Sequence, residues 1–595
     1  MISRQWFGDE QGPIRWVYFG KDPLSEVRLR KNIDSRFSEI DIARSLDQTA
    51  DKIRAEHVAW IDAINRKYGG KIGWWFGNVS SRNIYSSDLF LYCCYLVLLE
   101  QLWQNPVRRP ALIIVDSPGL ASAICRWSKD INIHVSVKGH RKKISRKMFS
   151  ISRFGLRWLG FIISTGMRKL ASVTVGSKNI AEKPKDVLVS TFVHDSSVSD
   201  EGIFKDRYFP GLYEYLENNK KTVVVHPVFH GFRYNFFQIF RKISKSPTDF
   251  IIQEKYLKLS DYLSAWSYPV CILTPKIQVP HFHGFNLDDI VREDQINGDL
   301  QNTLQAYLTF YLMERLKAKG LNVRSLIRWY ENQALDRGIV AGVRKAFPET
   351  KIIGAQVFLH YPNFLSLFPS RSEVDAGMVP DVLLATSPYQ CKLAKMFVPN
   401  IHCTPAAALR YAHVFSKEGS QKPFPRRVLV LTSGIRDETL ELLILTQEIA
   451  QHLGDDTDIH VQLHADIRIE EVQNLVPEIL ADSRIQIVQG SFAKELSEAS
   501  VVISKSSGSL VEAIAKGIPG IFAGNRNKLN LNPMAGISTP LLTECYSADE
   551  AGKAVQYYLE APETARQKYP EWGRAIRDQF FLPVNDETLA PFLMS

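Results

Sequence analysis

The clearest pattern lies in the last third of the chain, where short apolar runs alternate with amphipathic stretches. Residues 427–435 (RVLVLTSGI), 458–464 (DIHVQLH), 484–490 (RIQIVQG), 501–504 (VVIS) and 520–523 (GIFA) read as buried strands. Between them, helices are predicted from 438 to about 453, at about 469–480, and at 492–499 and 509–516. Strands of this length alternating with helices predict a parallel, doubly wound sheet. Upstream the alternation recurs less regularly. It predicts strands at 111–115, 187–192, 222–225, 325–330, 351–356 and 382–385, and helices at 87–104, 298–318 and 333–346. A last helical stretch, about 547–580, is placed to cross back onto the first domain.

The reading is therefore α/β, with two doubly wound Rossmann-like domains around a cleft. The polar segment 416–426, with two prolines, marks the boundary between them. This gives a domain over 1–415 with insertions, a second over 427–575, and a tail over 576–595. A chain of 595 residues, 45% hydrophobic and 23% charged, has the composition of a folded protein. Disorder, collagen and coiled coil are excluded as its main character. The seven cysteines, at 93, 94, 125, 271, 391, 403 and 545, have no regular spacing. Neither a disulfide framework nor a zinc ribbon is expected. The first residues carry no apolar signal region. The longest apolar run, 89–99, is shorter than the roughly 20 residues a spanning helix needs. A cytoplasmic location is the expectation.

Net charge sharpens this picture. The formal excess is +10, and between Lys138 and Lys169 lie ten cations: Lys138, Arg141, Lys142, Lys143, Arg146, Lys147, Arg153, Arg157, Arg168 and Lys169. That stretch has no Asp or Glu, so it accounts for the whole excess. Phe149, Phe154, Leu156, Trp158, Leu159 and Phe161 are interleaved with the cations. Segment 138–169 thus suits an interfacial helix on an anionic membrane surface, the partner expected here. Nucleic acid, the rival polyanion, is not expected, because the basic character is confined to one patch.

Ligands of open α/β sheets bind at the carboxyl ends of strands. Behind the 501–504 strand come Ser506, Ser507, Gly508 and Ser509, opening a helix that contains Glu512. Small residues there permit close backbone approach, and free N–H groups suit a phosphate. The alternative is an ordinary helix cap. Ser433 and Gly434 follow the first strand of this domain, and His464 ends the second, each facing the same side. His464 could donate to a phosphate oxygen or be a satisfied strand-end histidine. In the first domain, Glu331, Asn332 and Gln333 occupy a strand-to-helix junction. A carboxylate there could act as general base or nucleophile, or simply cap the helix. Asp116 lies in a second strand-end turn, Asp-Ser-Pro-Gly. His360 and Arg371 follow a later strand, and an arginine would suit a substrate carboxylate. His194 and His226 also follow predicted strands. There is no H-E-x-x-H and no Asp-x-Asp after a strand, so no metal is expected. A P-loop and a G-x-G-x-x-G fingerprint are absent, which disfavours kinase and dehydrogenase chemistry.

Several of these pieces resemble known families. The Ser/Gly helix start, Glu512 and Gly517-x-Pro519 resemble the nucleotide-sugar half of GT-B glycosyltransferases. His464 with the Ser506-Ser507 pair is similar to elements of bacterial sialyl-, polysialyl- and capsule Kdo-transferases, with Ala465 where those carry proline. Segments 204–211 (FKDRYFPG) and 329–333 (WYENQ), with Pro380-Asp381, resemble surface-carbohydrate proteins of bacterial O-antigen and capsule clusters. The resemblance implies a GT-B glycosyltransferase without metal or bound cofactor, working at the inner face of the bacterial inner membrane. Its donor would be a nucleotide sugar, CMP-linked and carrying an ulosonic acid such as Kdo or a nonulosonate. Its acceptor would be a lipid-linked glycan. Glu331 would be the catalytic group, with Asp116 the second candidate. The donor nucleotide would contact His464, Ser506, Ser507, Gly508, Ser509, Glu512, Ser433 and Gly434. Asn332, Gln333, His360 and Arg371 are the candidates for acceptor or sugar. A UDP-sugar-dependent transferase, an epimerase of similar fold, and a glycan-binding protein without catalysis are the alternatives.

Overall fold

The strand-forming runs assemble into three parallel sheets in the computed structural model. It describes residues 14–594 except 34–35, 139, 174–184, 230–234, 270–276, 417–425, 465–466, 471, 473–481 and 489. Most of the boundary segment 416–426, Ala465, and most of the helix expected at 469–480 lie outside the described residues.

The first sheet was not anticipated. It joins β1 (Ile14–Phe19), β2 (Phe37–Glu39) and β3 (Leu112–Val115) in the order β2-β1-β3. Its central strand, IRWVYF, is rich in aromatic and β-branched residues, which favour a pleated, covered surface. The expected strand at 111–115 is present, but it pairs with β1 rather than joining the main sheet of its domain. The apolar run 89–99 sits inside the helix Leu89–Gln104, whose Cys93, Cys94, Leu96 and Leu99 are fully buried beside this sheet. The helix Ala43–Tyr68 packs against it.

The second sheet contains β4 (Lys185–Phe192), β5 (Val223–Val228), β6 (Val323–Trp329), β7 (Lys351–Gln356), β8 (Val382–Ala385) and β9 (Cys403–Pro405), ordered β5-β4-β6-β7-β8-β9. The third contains β10 (Arg427–Leu431), β11 (Asp458–Gln462), β12 (Ile485–Val488), β13 (Val501–Ser504), β14 (Gly520–Ala523) and β15 (Leu542–Cys545), ordered β12-β11-β10-β13-β14-β15. All pairings in both are parallel. Both are doubly wound. In each, strand order reverses at one place: between β4 and β6, and between β10 and β13. Such a switch point opens a crevice at the carboxyl ends of its strands. Strand β10 ends at Leu431 rather than at 435, because Thr432, Ser433 and Gly434 turn the chain into the helix Arg436–Ala450.

The two lobes touch beside these openings. His413, after β9, stands 2.7 Å from Glu512. A side chain added at Gly508 would begin 3.1 Å from Leu359 and 3.4 Å from the Tyr361 hydroxyl. The chain then returns to the second sheet. The Leu582 N–H donates to the Thr386 carbonyl (2.7 Å), and the Ala407 N–H to the Thr588 carbonyl (2.8 Å). The returning helix, Tyr569–Phe580, approaches closely because Gly573 meets Gly517 backbone to backbone. A Cβ on Gly573 would lie 2.4 Å from the Gly517 nitrogen.

Candidate functional site

Glu331 sits in the short turn between β6 and the helix Ala334–Ala346. Asn332 in that turn has φ 55°, in the left-handed region that asparagine tolerates better than most residues. Its side chain explains how the turn is kept. The Tyr330 hydroxyl donates to Asn332 Oδ1 (2.8 Å), and Asn332 Nδ2 donates to Glu373 Oε2 (3.1 Å). Asp336 supports the turn from the helix side. Its Oδ2 accepts from the N–H of Glu331 (3.1 Å) and of Gln333 (2.9 Å), while Oδ1 accepts from Arg328 Nε (2.7 Å). The Glu331 carboxylate accepts from Trp329 Nε1 (2.9 Å) and Gln333 Nε2 (2.6 Å). Burial pushes its pKa above the ordinary range, and Asp336 adds to the rise against the Trp329 hydrogen bond and the Arg328 and Arg410 cations. A raised carboxyl exchanges its proton closer to neutrality, as a general acid or base requires.

The surroundings of Glu331 are aromatic and cationic. Arg410, exposed after β9, places its guanidinium 5.6 Å from both the Tyr208 and Trp329 ring centres. Tyr208 is set in place by segment 204–211. There the buried Asp206 accepts from Thr191 (3.2 Å), the N–H of Tyr208 (2.8 Å) and the Tyr213 hydroxyl (2.9 Å). His194 Nε2 lies 3.2 Å from the Tyr208 hydroxyl. Tyr85 packs edge-on to Phe364 at 4.8 Å and is 52% exposed.

In the other lobe the structure brings Ser433, Gly434, His464, Ser506 and Gly508 to the β10/β13 switch point. The His464 N–H donates to Thr432 Oγ1 (2.8 Å), and its ring lies 3.1 Å from where a side chain on Gly434 would start. Ser507 Oγ accepts from the Ser509 N–H (3.3 Å). The serine hydroxyls are not open as the sequence reading expects. Ser433 Oγ donates to Glu438 Oε2 (2.8 Å), and Ser506 Oγ donates to the same oxygen. A carboxylate therefore occupies the place where two hydroxyls converge. Glu512 also turns from its expected role, towards His413 of the facing lobe.

Other expected residues are placed elsewhere. Asn332 and His360 are fully buried. His360 lies 2.6 Å from Gln390 Oε1 and 3.0 Å from Gln356 Oε1 through its two ring nitrogens. Burial lowers its pKa to about 4, so it is a neutral core histidine. His226 is likewise buried, 2.9 Å from Ser190 Oγ. Arg371 is exposed and paired with Asp375 at 2.9 Å, one turn along its own helix. Gln333 serves the Glu331 carboxylate directly. Asp116 belongs to the first sheet, where it accepts from the Tyr18 hydroxyl (2.5 Å) and faces Arg146 at 3.7 Å. Among the described residues, no group of three or more His, Cys, Asp or Glu is placed to hold a metal. Arg410 and Glu438 escaped the sequence reading. Arg410 had a signal: it is the lone charge in the run AAALRYA at 406–412.

No family model and no curated protein sequence matches the chain. Among solved structures it aligns with MurG of Acinetobacter baumannii at 11% identity, over 69% of this chain and 98% of that one, with a TM-score of 0.38. The UDP-GlcNAc 2-epimerase of Neisseria meningitidis, bound to UDP-GlcNAc, aligns at 9% identity over 68% and 98%, with a TM-score of 0.40. The α,α-trehalose 6-phosphate synthase of Burkholderia multivorans aligns at 13% identity over 69% and 98%, with a TM-score of 0.41.

Proposed function

We propose that the protein is a glycosyltransferase that takes a sugar from a nucleotide donor held against the third sheet to an acceptor held against the second. The observation that carries this reading is Glu331. Its raised carboxyl stands at one switch point, near Tyr208 and Arg410, with the glycine turn of the other switch point across the cleft. In the proposed step the acceptor hydroxyl gives its proton to the Glu331 carboxylate as its oxygen bonds to the anomeric carbon. The bond from that carbon to the phosphate oxygen breaks, and the electron pair leaves with the nucleotide. Arg410 supplies positive charge for the departing phosphate or for a sugar carboxylate. Ser506 and Ser433 reach a phosphate once Glu438 releases them.

In the finer reading the donor is CMP-linked and carries an ulosonic acid, and the acceptor is a lipid-linked glycan at the inner face of a bacterial inner membrane. The residue resemblances at His464 and Ser506-Ser507 support that choice. Thermal melts with CMP, UDP and GDP test it. A rise with CMP alone supports the ulosonate donor. A rise with UDP alone points to a UDP-sugar transferase or an epimerase, and product analysis then separates those two. No rise with any nucleotide removes the donor site. Glu331→Gln should keep nucleotide binding and lose transfer by at least roughly 100-fold; retained transfer removes Glu331 from the chemistry.

A further inference from the structure

The helix His140–Val173 is the most unusual surface in the molecule. One face is packed: Phe154 and Phe161 are buried, and Trp158 Nε1 donates to the Trp266 carbonyl (3.1 Å). Cations fasten that face as well. Arg157 donates to the carbonyls of Ile296 (2.8 Å) and Gly298 (2.9 Å), and Lys169 to that of Leu257 (3.1 Å). The opposite face carries Ile144, Leu156, Leu159, Ile163, Met167 and Leu170, all exposed, with Leu156 at 69% and Ile163 at 59%. At 3.6 residues per turn these positions fall within an arc of roughly 140°. From Ile144 to Leu170 the row runs about 39 Å along the helix axis. Single exposed apolar residues are ordinary, but a continuous row is a contact surface. The neighbouring helix Leu259–Trp266 adds Leu259 and Leu263, also exposed.

We infer that this helix docks the protein in the plane of an anionic lipid bilayer, its apolar row inserted below the headgroups. Charge selects this occupant. The helix segment carries ten cations and no acidic residue between Lys138 and Val173, so a second copy would bring like charges together. Exposed Lys138 and Arg153 remain for phosphate headgroups. Nucleic acid would engage the cations and leave the leucine row in water. Among the described residues no helix is long and apolar enough to cross a membrane, which fits a helix lying on the surface. The inference does not rest on the cleft chemistry. It adds that the acceptor reaches the cleft from a lipid surface.

The test is flotation of the full chain with zwitterionic vesicles and with vesicles containing phosphatidylglycerol. The wild type should float with the anionic vesicles at low salt. Each apolar side chain leaving water contributes roughly tenfold, so Leu156→Glu, Leu159→Glu and Ile163→Glu together should weaken association at least 100-fold. These side chains are exposed, so the melting temperature should stay unchanged. Lys138→Glu with Arg153→Glu should weaken association with anionic vesicles only. Three results would overturn the inference: a wild type that does not float, a triple variant that still floats, or preferred binding to duplex DNA or RNA. So would a wild-type dimer that the triple variant splits while vesicles stay unbound. Flotation without any nucleotide response would retain the docking helix and remove the proposed function instead.

Discussion

Glu373→Gln tests the polar core beneath the turn that carries Glu331. The Glu373 carboxylate is completely buried and accepts from Arg82 Nη2 at 2.7 and 2.8 Å, from Arg337 Nη2, from Asn332 Nδ2 at 3.1 Å and from the Ser370 N–H at 2.8 Å. Burial alone would raise its pKa, but the Arg82 and Arg337 cations, with the Ser370 N–H, outweigh that and hold it below the ordinary range. A depressed carboxyl contributes stability that is present above the unfolded value near 4.5 and lost as pH falls through the folded one. Glutamine keeps the shape and removes the charge, leaving two buried guanidiniums without a counter-ion. Breaking a buried pair this way costs about 3–5 kcal/mol. At about 2–4 °C per kcal/mol, the transition of this lobe should fall by roughly 6–20 °C, in a thermal melt followed by intrinsic fluorescence. Asn332 would also lose a partner that keeps its left-handed turn, so transfer should fall further than stability explains. A fall of less than about 2 °C at pH 7 would refute the reasoning, because the two cations would then be satisfied without Glu373.

Three further outcomes follow from the geometry. Arg410→Ala should leave the melting temperature unchanged, since the side chain is exposed, and weaken nucleotide or sugar binding by roughly 10–100-fold in calorimetry; an unaltered affinity removes Arg410 from the site. Glu438→Gln takes a negative charge from the point where Ser433 and Ser506 converge, so nucleotide affinity should rise by roughly tenfold; a fall would show that the carboxylate organises the site. Asp294, buried and bonded to Asn78 Nδ2 at 2.9 Å, is pushed up to about 7 by burial, so its contribution to stability is full below about pH 4 and is lost as pH rises through 7. The loss amounts to about 4 kcal/mol, and Asp294→Asn should remove that slope from melts between pH 4 and 7; an identical slope in the variant sinks the assignment.

Where periodicity and burial agreed, the sequence was legible. Strands β7, β8, β13 and β14 lie where their apolar runs placed them, because each is covered on both faces and reads as a continuous hydrophobic run. The first sheet was missed although IRWVYF has strand chemistry, because a six-residue run carries no sign of which distant strand it joins. The edge strand β15, LTEC, is half polar and is a strand only because its backbone finds β14. At the site, Glu331 and the Ser506–Gly508 turn could be found because strand-to-helix junctions mark them. Glu438 could not: a glutamate in the first turn of a helix is already accounted for by the helix dipole. Only the closure of β10 against β13 turns its carboxylate onto serines of two different loops. His360 and Asn332 show the converse. Polar residues at strand ends look functional, yet these two spend their hydrogen bonds on holding loops in the interior.

The charges around the cleft lead to a last consequence. A nucleotide phosphate entering between the lobes meets carboxylates on both sides, Glu331 and Glu438. Arg410 offsets part of that repulsion. Glu331, already raised by burial, is the group that can shed its charge at small cost. A nearby phosphate disfavours the charged form of a carboxyl and lifts its pKa further. Donor binding should therefore take up a fraction of a proton at Glu331, so affinity should strengthen as pH falls towards the raised value while transfer, which needs the ionised carboxylate as base, weakens. The sign follows from linkage: the complex holds more protons than the free protein, so acid favours the complex. Calorimetry in two buffers of different ionisation enthalpy measures that uptake directly. Titration of the phosphate itself contributes equally to the wild type and to Glu331→Gln, so the difference between them isolates the residue. Equal uptake in both proteins would show that Glu331 stays charged when the donor is bound. The cleft would then tolerate three negative groups at once, and the cation at Arg410 would have to carry the whole compensation.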